Sequence, residues 1–131
     1  MTAASSRSLR AVSEYMSVIQ EAPDLYTVVS ESGREYVVDL RDDPVCTCHD
    51  FQYRHEVDQC KHILRARLET GRADVDRIKG RLALAAMDAE DEAAELERAS
   101  RAVRSDARRI RRAVARLEEL ARQDGGRDRA E

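Results

Sequence analysis

Apolar residues change their spacing along the chain, and each change predicts a different kind of element. From Leu9 to Ile19 they recur at steps of three and four residues, which predicts a short amphipathic helix. This helix should end before Pro23, because the residue preceding a proline is disfavoured in the helical conformation. Residues 1–8 are small and polar, and we expect them to be disordered.

The next segment has the composition of β-strands. Residues 25–29 and 36–40 are rich in β-branched and aromatic side chains, which favour strands. Gly33 lies between them and can take the positive φ that a tight turn needs. The sequence therefore predicts a β-hairpin, after which Asp42-Asp43-Pro44 turns the chain into Val45-Cys46-Thr47-Cys48.

A second helix is predicted after an irregular segment at residues 49–59. Ile63, Leu64 and Leu68 fall on one helical face. Gly71 follows at the position where a glycine commonly ends a helix.

The rest of the chain predicts a single long helix. Residues 74–123 contain no proline and one glycine, and strong helix formers dominate them. Counting in alternating steps of four and three residues gives an uncharged seam typical of a coiled coil. The seam comprises Leu82, Ala86, Ala89, Ala93, Leu96, Ser100, Val103, Ala107, Ile110, Val114, Leu117 and Ala121. Residues 124–131 should form a flexible tail.

Composition explains why the chain should combine a compact part with an elongated one. Charged residues make up 37% and aromatic residues 4%, too few large apolar groups for one core throughout. No stretch approaches the roughly 20 apolar residues of a membrane span, and the polar start lacks the apolar region of a signal peptide. We therefore expect a cytoplasmic protein that does not enter a membrane.

The chemistry is concentrated in three cysteines and one histidine. An odd number of cysteines excludes a complete disulfide framework, and clustered thiols in a reducing compartment favour a metal. Cys46 and Cys48 stand one residue apart, and after eleven residues Cys60 and His62 repeat that spacing. Three thiolates and an imidazole complete a tetrahedral zinc site of the closed, structural type.

The two halves of this site need particular local structure. Cys60 and His62 converge only if Cys60 caps the second helix and His62 lies in its first turn, because residues two apart in a helix diverge. A thiolate is also favoured at a helix N-terminus. His49 and His55 are competing ligands, although we interpret both as solvated or packing residues.

Other interpretations of the same residues are a disulfide with one free thiol, or a nucleophilic cysteine with His62 as its base. No orienting residue is visible for the latter. We expect Phe51 and Tyr53 to fill the core beneath the zinc loop rather than to stack on nucleic acid bases.

These residues resemble the SWIM zinc finger family. The resemblance rests on Cys46-Thr47-Cys48-His49-Asp50-Phe51, on Cys60-Lys61-His62-Ile63 and on the preceding hairpin, and it covers roughly residues 25–70. It implies a zinc-binding module that is not itself catalytic. The family occurs in transposases, chromatin-remodelling ATPases, kinases and recombination-associated proteins, with DNA or proteins as partners.

Charge gives a weaker indication of the partner. Residues 44–70 hold four basic and four acidic side chains, too balanced to predict phosphate binding. Residues 88–97 hold six acids and no base, whereas residues 98–116 hold eight arginines and one acid. Nucleic acid or partner contacts are predicted at Lys61, Arg65, Arg67, Arg108, Arg109 and Arg112.

The same charge blocks predict how the long helix pairs. An antiparallel homodimer through residues 82–121, centred near Ser100, would bring each acidic block against a basic one. A basic helix that binds DNA or RNA, a helix paired with another protein, and a solvated single helix are the alternatives.

The sequence as a whole predicts an α+β fold. Residues 9–71 should form a small zinc-stabilised module with the order helix, hairpin, zinc loop, helix, and residues 74–123 a long helix in a coiled coil. We expect a non-enzymatic, nucleic-acid-associated DNA-binding or regulatory factor of a bacterial or archaeal cell, or of a virus of one. The alternative is a protein–protein adaptor that dimerises through its coiled coil and does not bind nucleic acid.

Overall fold

The computed structural model describes residues 1–54 and 59–130, and side chains as far as residue 124. It confirms an α+β fold, and the chain divides into two units, Met1–Asp88 and Ala89–Glu131. The elements in chain order are α1 (Ala3–Ser13), β1 (Met16–Ala22), β2 (Leu25–Ser30), β3 (Glu35–Asp39), β4 (Val45–Cys46), α2 (His49–Tyr53), α3 (Lys61–Glu69) and α4 (Val75–Ala130).

The first helix lies earlier in the chain than the sequence predicts. Thr2 caps α1, and its hydroxyl accepts a hydrogen bond from the Ser5 N–H at 3.1 Å, which satisfies one of the free amides of the first turn. Ser5 and Ser8 are buried, because their small side chains permit close packing. The structure thus has a helix where residues 1–8 were expected to be disordered.

The prediction that this helix continues to Ile19 and ends before Pro23 is wrong. Met16–Ala22 form β1 instead. Met16 is buried and Val18 packs against the core, whereas Ile19 is exposed, which is the alternation of a strand. The helical spacing arose because apolar residues of α1 and of β1 happen to continue one series.

The predicted hairpin is confirmed and lies within a larger antiparallel sheet of order β1-β2-β3-β4. Tyr26 pairs with Val38, and Val38 pairs with Cys46, so the inward side chains of three strands are in register. Gly33 has a φ of 84° in the β2–β3 turn, as the sequence predicts.

One face of the sheet carries the core of the first unit. Val28 and Val38 are fully buried there together with Ile63 and Ala66 of α3, and Cys46 and Cys60 belong to the same cluster. The second helix is confirmed, with Gly71 at a φ of 72° after its last turn. The ligand-bearing residues are therefore part of the core.

The long helix is confirmed as α4. The Asp74 carboxylate accepts a hydrogen bond from the Arg77 N–H at 3.1 Å near its start. The backbone is helical as far as Ala130, and the flexibility of the tail at residues 124–131 stays a prediction. Among the helices of the described residues, none is long and apolar enough to cross a membrane.

The second unit is described by α4 alone. From residue 89 to residue 124 its side chains are exposed, except that Ala94 is half-buried. The large seam residues are among the exposed ones, with Leu96 at 64%, Val103 at 67% and Ile110 at 63%.

Candidate metal centre

The first two cysteines are positioned by the end of the sheet. Cys46 is the last residue of β4 and points into the core, where it is fully buried. Cys48 follows in extended conformation as the N-cap of α2, and it is 3% exposed. Because residues two apart in extended chain face the same side, both sulfurs point into one pocket.

The other two candidate ligands occupy the start of α3 as predicted. Cys60 is the N-cap, with β-region backbone angles, and His62 lies in the first turn. Cys60 is 1% and His62 4% exposed. The change from extended to helical backbone at Cys60 is what allows two residues so close in sequence to converge.

The four side chains form one tight cluster. Their ligand atoms, three sulfurs and a histidine nitrogen, all lie within 4.8 Å of one another. The His62 Nδ1 is 3.9 Å from the Cys46 Sγ and 3.8 Å from the Cys60 Sγ. A tetrahedral zinc ion with bonds of ~2.3 Å to sulfur and ~2.0 Å to nitrogen separates such atoms by about 3.5 Å. The cluster therefore has close to the dimensions of a zinc site.

Backbone amides complete the surroundings of the sulfurs. The Cys48 N–H donates to the Cys46 Sγ at 3.5 Å, the Phe51 N–H to the Cys48 Sγ at 3.4 Å, and the Ile63 N–H to the Cys60 Sγ at 3.5 Å. Donors of this kind stabilise thiolates and hold metal ligands in orientation. Each cysteine thus accepts a backbone hydrogen bond, and none of the three is in a disulfide.

The electrostatics of the cluster favour a bound cation. Contact with the Cys48 and Cys60 thiols, together with burial, raises the pKa of Cys46 far above its usual range, while contact with Cys46 lowers the pKa of Cys48. For Cys60, contact with Cys46 lowers the pKa, but contact with Cys48 and burial raise it to about 11. Three buried sulfurs at this separation cannot all ionise unaided, and a bound divalent cation allows them to do so. The residues present therefore fit zinc.

Aromatic residues pack around the ligands, only partly as predicted. The ring of Tyr36 stacks on the ring of His62, with centroids 4.2 Å apart. Phe51 packs against the core, which confirms one of the two predicted core aromatics. Tyr53 is 67% exposed, so its prediction as a core residue is wrong. It lies at the end of α2, where its ring meets the ring of His49 at 4.5 Å.

The competing histidines do not enter the cluster within the part of the chain that the structure describes. His49 is exposed and contacts Tyr53, in agreement with a packing role. His55 lies outside the described residues. Among the residues that the structure describes, the cluster that could hold the ion therefore consists of Cys46, Cys48, Cys60 and His62, the four residues that the spacing predicts.

The basic residues predicted as contacts on α3 bind within the first unit. The Lys61 Nζ lies 2.6 Å from the Glu14 Oε2, and the Arg67 guanidinium donates to the Gln59 Oε1 at 2.6 Å. The Arg65 Nη1 donates to two backbone carbonyl oxygens at the end of α1. One is that of Ala11 in the last turn, at 3.0 Å, and the other is that of Glu14 just after the helix, at 3.1 Å.

Arg65 is a structural residue that the sequence does not reveal. Its third backbone acceptor is the Met16 carbonyl at 3.5 Å, and its Nε pairs with Glu69 at 2.9 Å. These bonds attach the end of α1 and the start of β1 to α3, the helix that carries His62. The sequence does not distinguish Arg65 from an exposed helical arginine, because its acceptors are backbone atoms about 50 residues away in the chain.

The remaining predicted contacts lie on the second unit. Arg108, Arg109 and Arg112 are exposed residues of α4, and Arg109 lies 3.8 Å from Asp106 of the same helix. An exposed pair at this separation contributes little, so these guanidinium groups stay available to solvent or to a partner.

Three buried thiols and a buried imidazole at this spacing define a zinc-binding module of the closed, structural type. Residues 36–68, about a quarter of the chain, match the family model described as SWIM zinc finger. This match confirms the resemblance to the SWIM zinc finger that is seen in the sequence. No curated protein and no solved structure matches the chain.

Proposed function

We propose that the protein is a non-catalytic adaptor whose zinc finger organises a protein-binding surface. The observation that carries the proposal is the use of the finger's own basic residues. Lys61, Arg65 and Arg67 all make hydrogen bonds or ion pairs inside the first unit. Phosphate contacts would require these side chains to leave their partners, which for Lys61 and Arg65 hold the end of α1 against α3, and this favours a protein partner over nucleic acid.

The outer face of the sheet supports a protein partner. Ile19, Thr27 and Val37 form a continuous row across three strands, since Ile19 pairs with Thr27 and Thr27 with Val37. Ile19 is 48% and Val37 45% exposed. Ile19 and Val37 are thus exposed apolar side chains on one face of the sheet, with the half-buried Thr27 between them. Exposed apolar side chains are a common feature of protein interaction surfaces and form no hydrogen bonds to a phosphate backbone.

Nucleic acid association through α4 is the second candidate. It is favoured by the eight arginines of residues 98–116, which lie on an exposed helix. A helix of this charge density attracts phosphate groups, and such binding weakens steeply with salt because it releases counterions. In this alternative the finger would still have a structural role.

The zinc site itself supports a non-catalytic role in a reducing compartment. Four protein ligands leave no position on a tetrahedral ion for a substrate or water. Reduced, metal-bound thiols are typical of the cytoplasm, and cytoplasmic location belongs to this proposal.

The decisive experiment measures nucleic acid binding and partner binding with the same zinc-loaded protein. Fluorescence anisotropy with duplex DNA, single-stranded DNA and RNA should show no binding at near-physiological salt. Affinity capture from nuclease-treated extract of the source cells should recover a protein that rebinds after purification. Val37→Lys should abolish that binding, whereas Ser32→Lys, an equal charge change in the exposed β2–β3 turn, should retain it. Salt-sensitive nucleic acid binding, unaffected by Val37→Lys, would instead establish the second candidate.

A further inference from the structure

The exposed seam of the second unit alternates large and small residues in a way that selects a partner. Between residues 89 and 114 the large members are Leu96, Val103, Ile110 and Val114, all at least half exposed. The small members are Ala89, Ala93, Ser100 and Ala107. Large residues dominate its second half and small ones its first half, so the seam is not symmetric along the helix.

We propose that α4 pairs with α4 of a second copy, antiparallel and in one particular register centred between Arg101 and Ala102. In this register every layer of the seam places one small residue against one large residue of the partner. The layers are Ala89 with Val114, Ala93 with Ile110, Leu96 with Ala107, and Ser100 with Val103, each occurring twice by symmetry. Interior packing tolerates neither voids nor excess volume, so this complementarity distinguishes the register from others.

Other arrangements lose this complementarity. A parallel, in-register pair would set Ala93 against Ala93 and Ser100 against Ser100, which leaves voids between layers of large residues. Sliding the antiparallel pair by one heptad towards the N-terminus would set Ala89 against Ala107 and leave a similar void.

Charges beside the seam select the same register independently. Residues 90, 97, 104 and 111 recur every seven positions along one side of the seam and form what we call the flanking row. In the proposed pair Glu97 lies opposite the partner's Arg104, and Glu90 lies opposite the partner's Arg111. Symmetry doubles both pairs, so all four contacts of this row are attractive. The other side of the seam sets Glu92 against Ala113 and Ala99 against Asp106, which is close to neutral.

The alternative registers place like charges in contact. The antiparallel pair shifted by one heptad brings Glu97 against Glu97 of the partner. A parallel pair brings Glu92 against Glu97, and its one attractive contact of this kind, Asp106 with Arg111, only offsets that repulsion. Like charges at these positions destabilise a coiled coil. Packing and charge thus both indicate that the partner of the exposed seam is a second copy of this chain. The pairing goes beyond the proposed function and does not depend on whether the finger binds protein or nucleic acid.

The first test uses full-length, zinc-loaded protein in sedimentation equilibrium at tens of micromolar. The basic variant Glu90→Arg/Glu97→Arg has arginine throughout the flanking row, and the acidic variant Arg104→Glu/Arg111→Glu has glutamate throughout. We expect a dimer for the unsubstituted protein, monomers for each variant alone, and a heterodimer when the two are mixed. Asp91→Arg/Glu119→Arg makes the same charge change on the opposite side of the helix and should stay dimeric.

The second test measures direction and register. A nitroxide is attached through a non-cysteine residue, which spares the zinc ligands, at position 119 or at position 105. With a rise of 1.5 Å per residue the two labels at 119 should be about 52 Å apart along the axis and, with the separation across the pair, about 55–60 Å apart in space, whereas those at 105 should be roughly 20–30 Å apart. A parallel pair would give roughly 20–30 Å at both positions, set by about two helix diameters.

Several results would overturn the proposal. One is an unsubstituted protein that stays monomeric at a concentration on the order of 100 micromolar. The others are a basic variant that dimerises as strongly as the unsubstituted protein, and a distance of roughly 20–30 Å between the two labels at position 119. Zinc content and the partner binding of the finger are measured on the same samples. A failure of the proposed function therefore leaves the pairing result unaffected, and the reverse also holds.

Discussion

Removing zinc should unfold the first unit while the part of α4 that lies in the second unit, from Ala89 onward, stays helical. The ion is bound by residues of the core itself, since Cys46, Cys48 and Cys60 are at most 3% exposed and pack with Val28 and Ile63. Structural zinc contributes about 10–16 kcal/mol of apparent free energy at neutral pH. A small domain has a total stability of about 5–15 kcal/mol. Metal removal therefore takes away as much free energy as the folded unit is expected to have.

A single ligand substitution has a smaller effect that can be estimated in the same way. If four ligands contribute about equally to 10–16 kcal/mol, Cys60→Ser should cost about 3 kcal/mol, or a loss of about 100-fold in zinc affinity. The serine hydroxyl can still accept the hydrogen bond of the Ile63 N–H, so the cost is that of the lost thiolate ligand and not of the helix cap. Thr47→Ser is the matched control, because it lies between two ligands and retains the hydroxyl that accepts from the Val37 N–H.

Hydrogen exchange followed by mass spectrometry measures both units in one sample. With a strong chelator, amides of β2, β3 and α3 should exchange at the rate of unfolded chain, while those of residues 89–124 should be unchanged. Cys60→Ser should reach the same state at much lower chelator concentration than Thr47→Ser. Protection of the β2 and β3 amides in metal-free protein would refute the reasoning, because the sheet would then be stable without the ion.

Three further predictions follow from the described contacts. Arg65→Met should lower the free energy of unfolding of the first unit by about 2–4 kcal/mol, since it removes charged donors from partly buried carbonyls. Arg54→Met, the control at an exposed ion pair, should change that free energy by less than about 1 kcal/mol. Urea titrations followed by tyrosine fluorescence measure both variants, and an equal loss of stability in the two would contradict the structural role of Arg65. Gly33→Ala should destabilise the hairpin by about 1 kcal/mol because of its positive φ, while Gly80→Ala in α4 should stabilise the helix by a similar amount in thermal unfolding. Zinc binding to metal-free protein should release about three protons between pH 7 and 8, because three thiols must ionise, so affinity and stability are present at neutral pH and fall with acidification. A competition titration that gives a slope of log affinity against pH near one would be inconsistent with a three-thiolate site.

The metal ligands were predictable because their chemistry is local in sequence. Two pairs of residues at the same short spacing, one pair opening a helix, leave few alternatives to a four-ligand site. The β2–β3 hairpin was predictable for a similar reason, since Gly33 and the β-branched flanks specify it locally. Even the helix cap at Cys60 followed from the requirement that two near neighbours converge.

The failures share a physical cause, which is dependence on partners distant in the chain. Met16–Ala22 become a strand because they pair with β2, and nothing in their own spacing distinguishes this from a helix. Arg65 is structural because it donates hydrogen bonds to backbone carbonyls at the end of α1, and Tyr36 contributes because its ring stacks on the ring of His62. Tyr53 was expected inside because aromatics are scarce, but its position at the end of a short helix leaves it in solvent.

The double use of sulfur at Cys48 and Cys60 has a consequence for how the chain folds. Each of these sulfur atoms accepts a hydrogen bond from a free amide in the first turn of a helix, that of Phe51 or of Ile63, and is also a candidate ligand of the ion. Starting a helix is its unfavourable step, since several residues must be fixed before one hydrogen bond is gained. Capture of the ion fixes Cys60 and His62 at the very place where α3 begins. Metal binding and helix initiation should therefore occur as one kinetic event. The time at which the ion binds then determines when α3 can form and pack into the core.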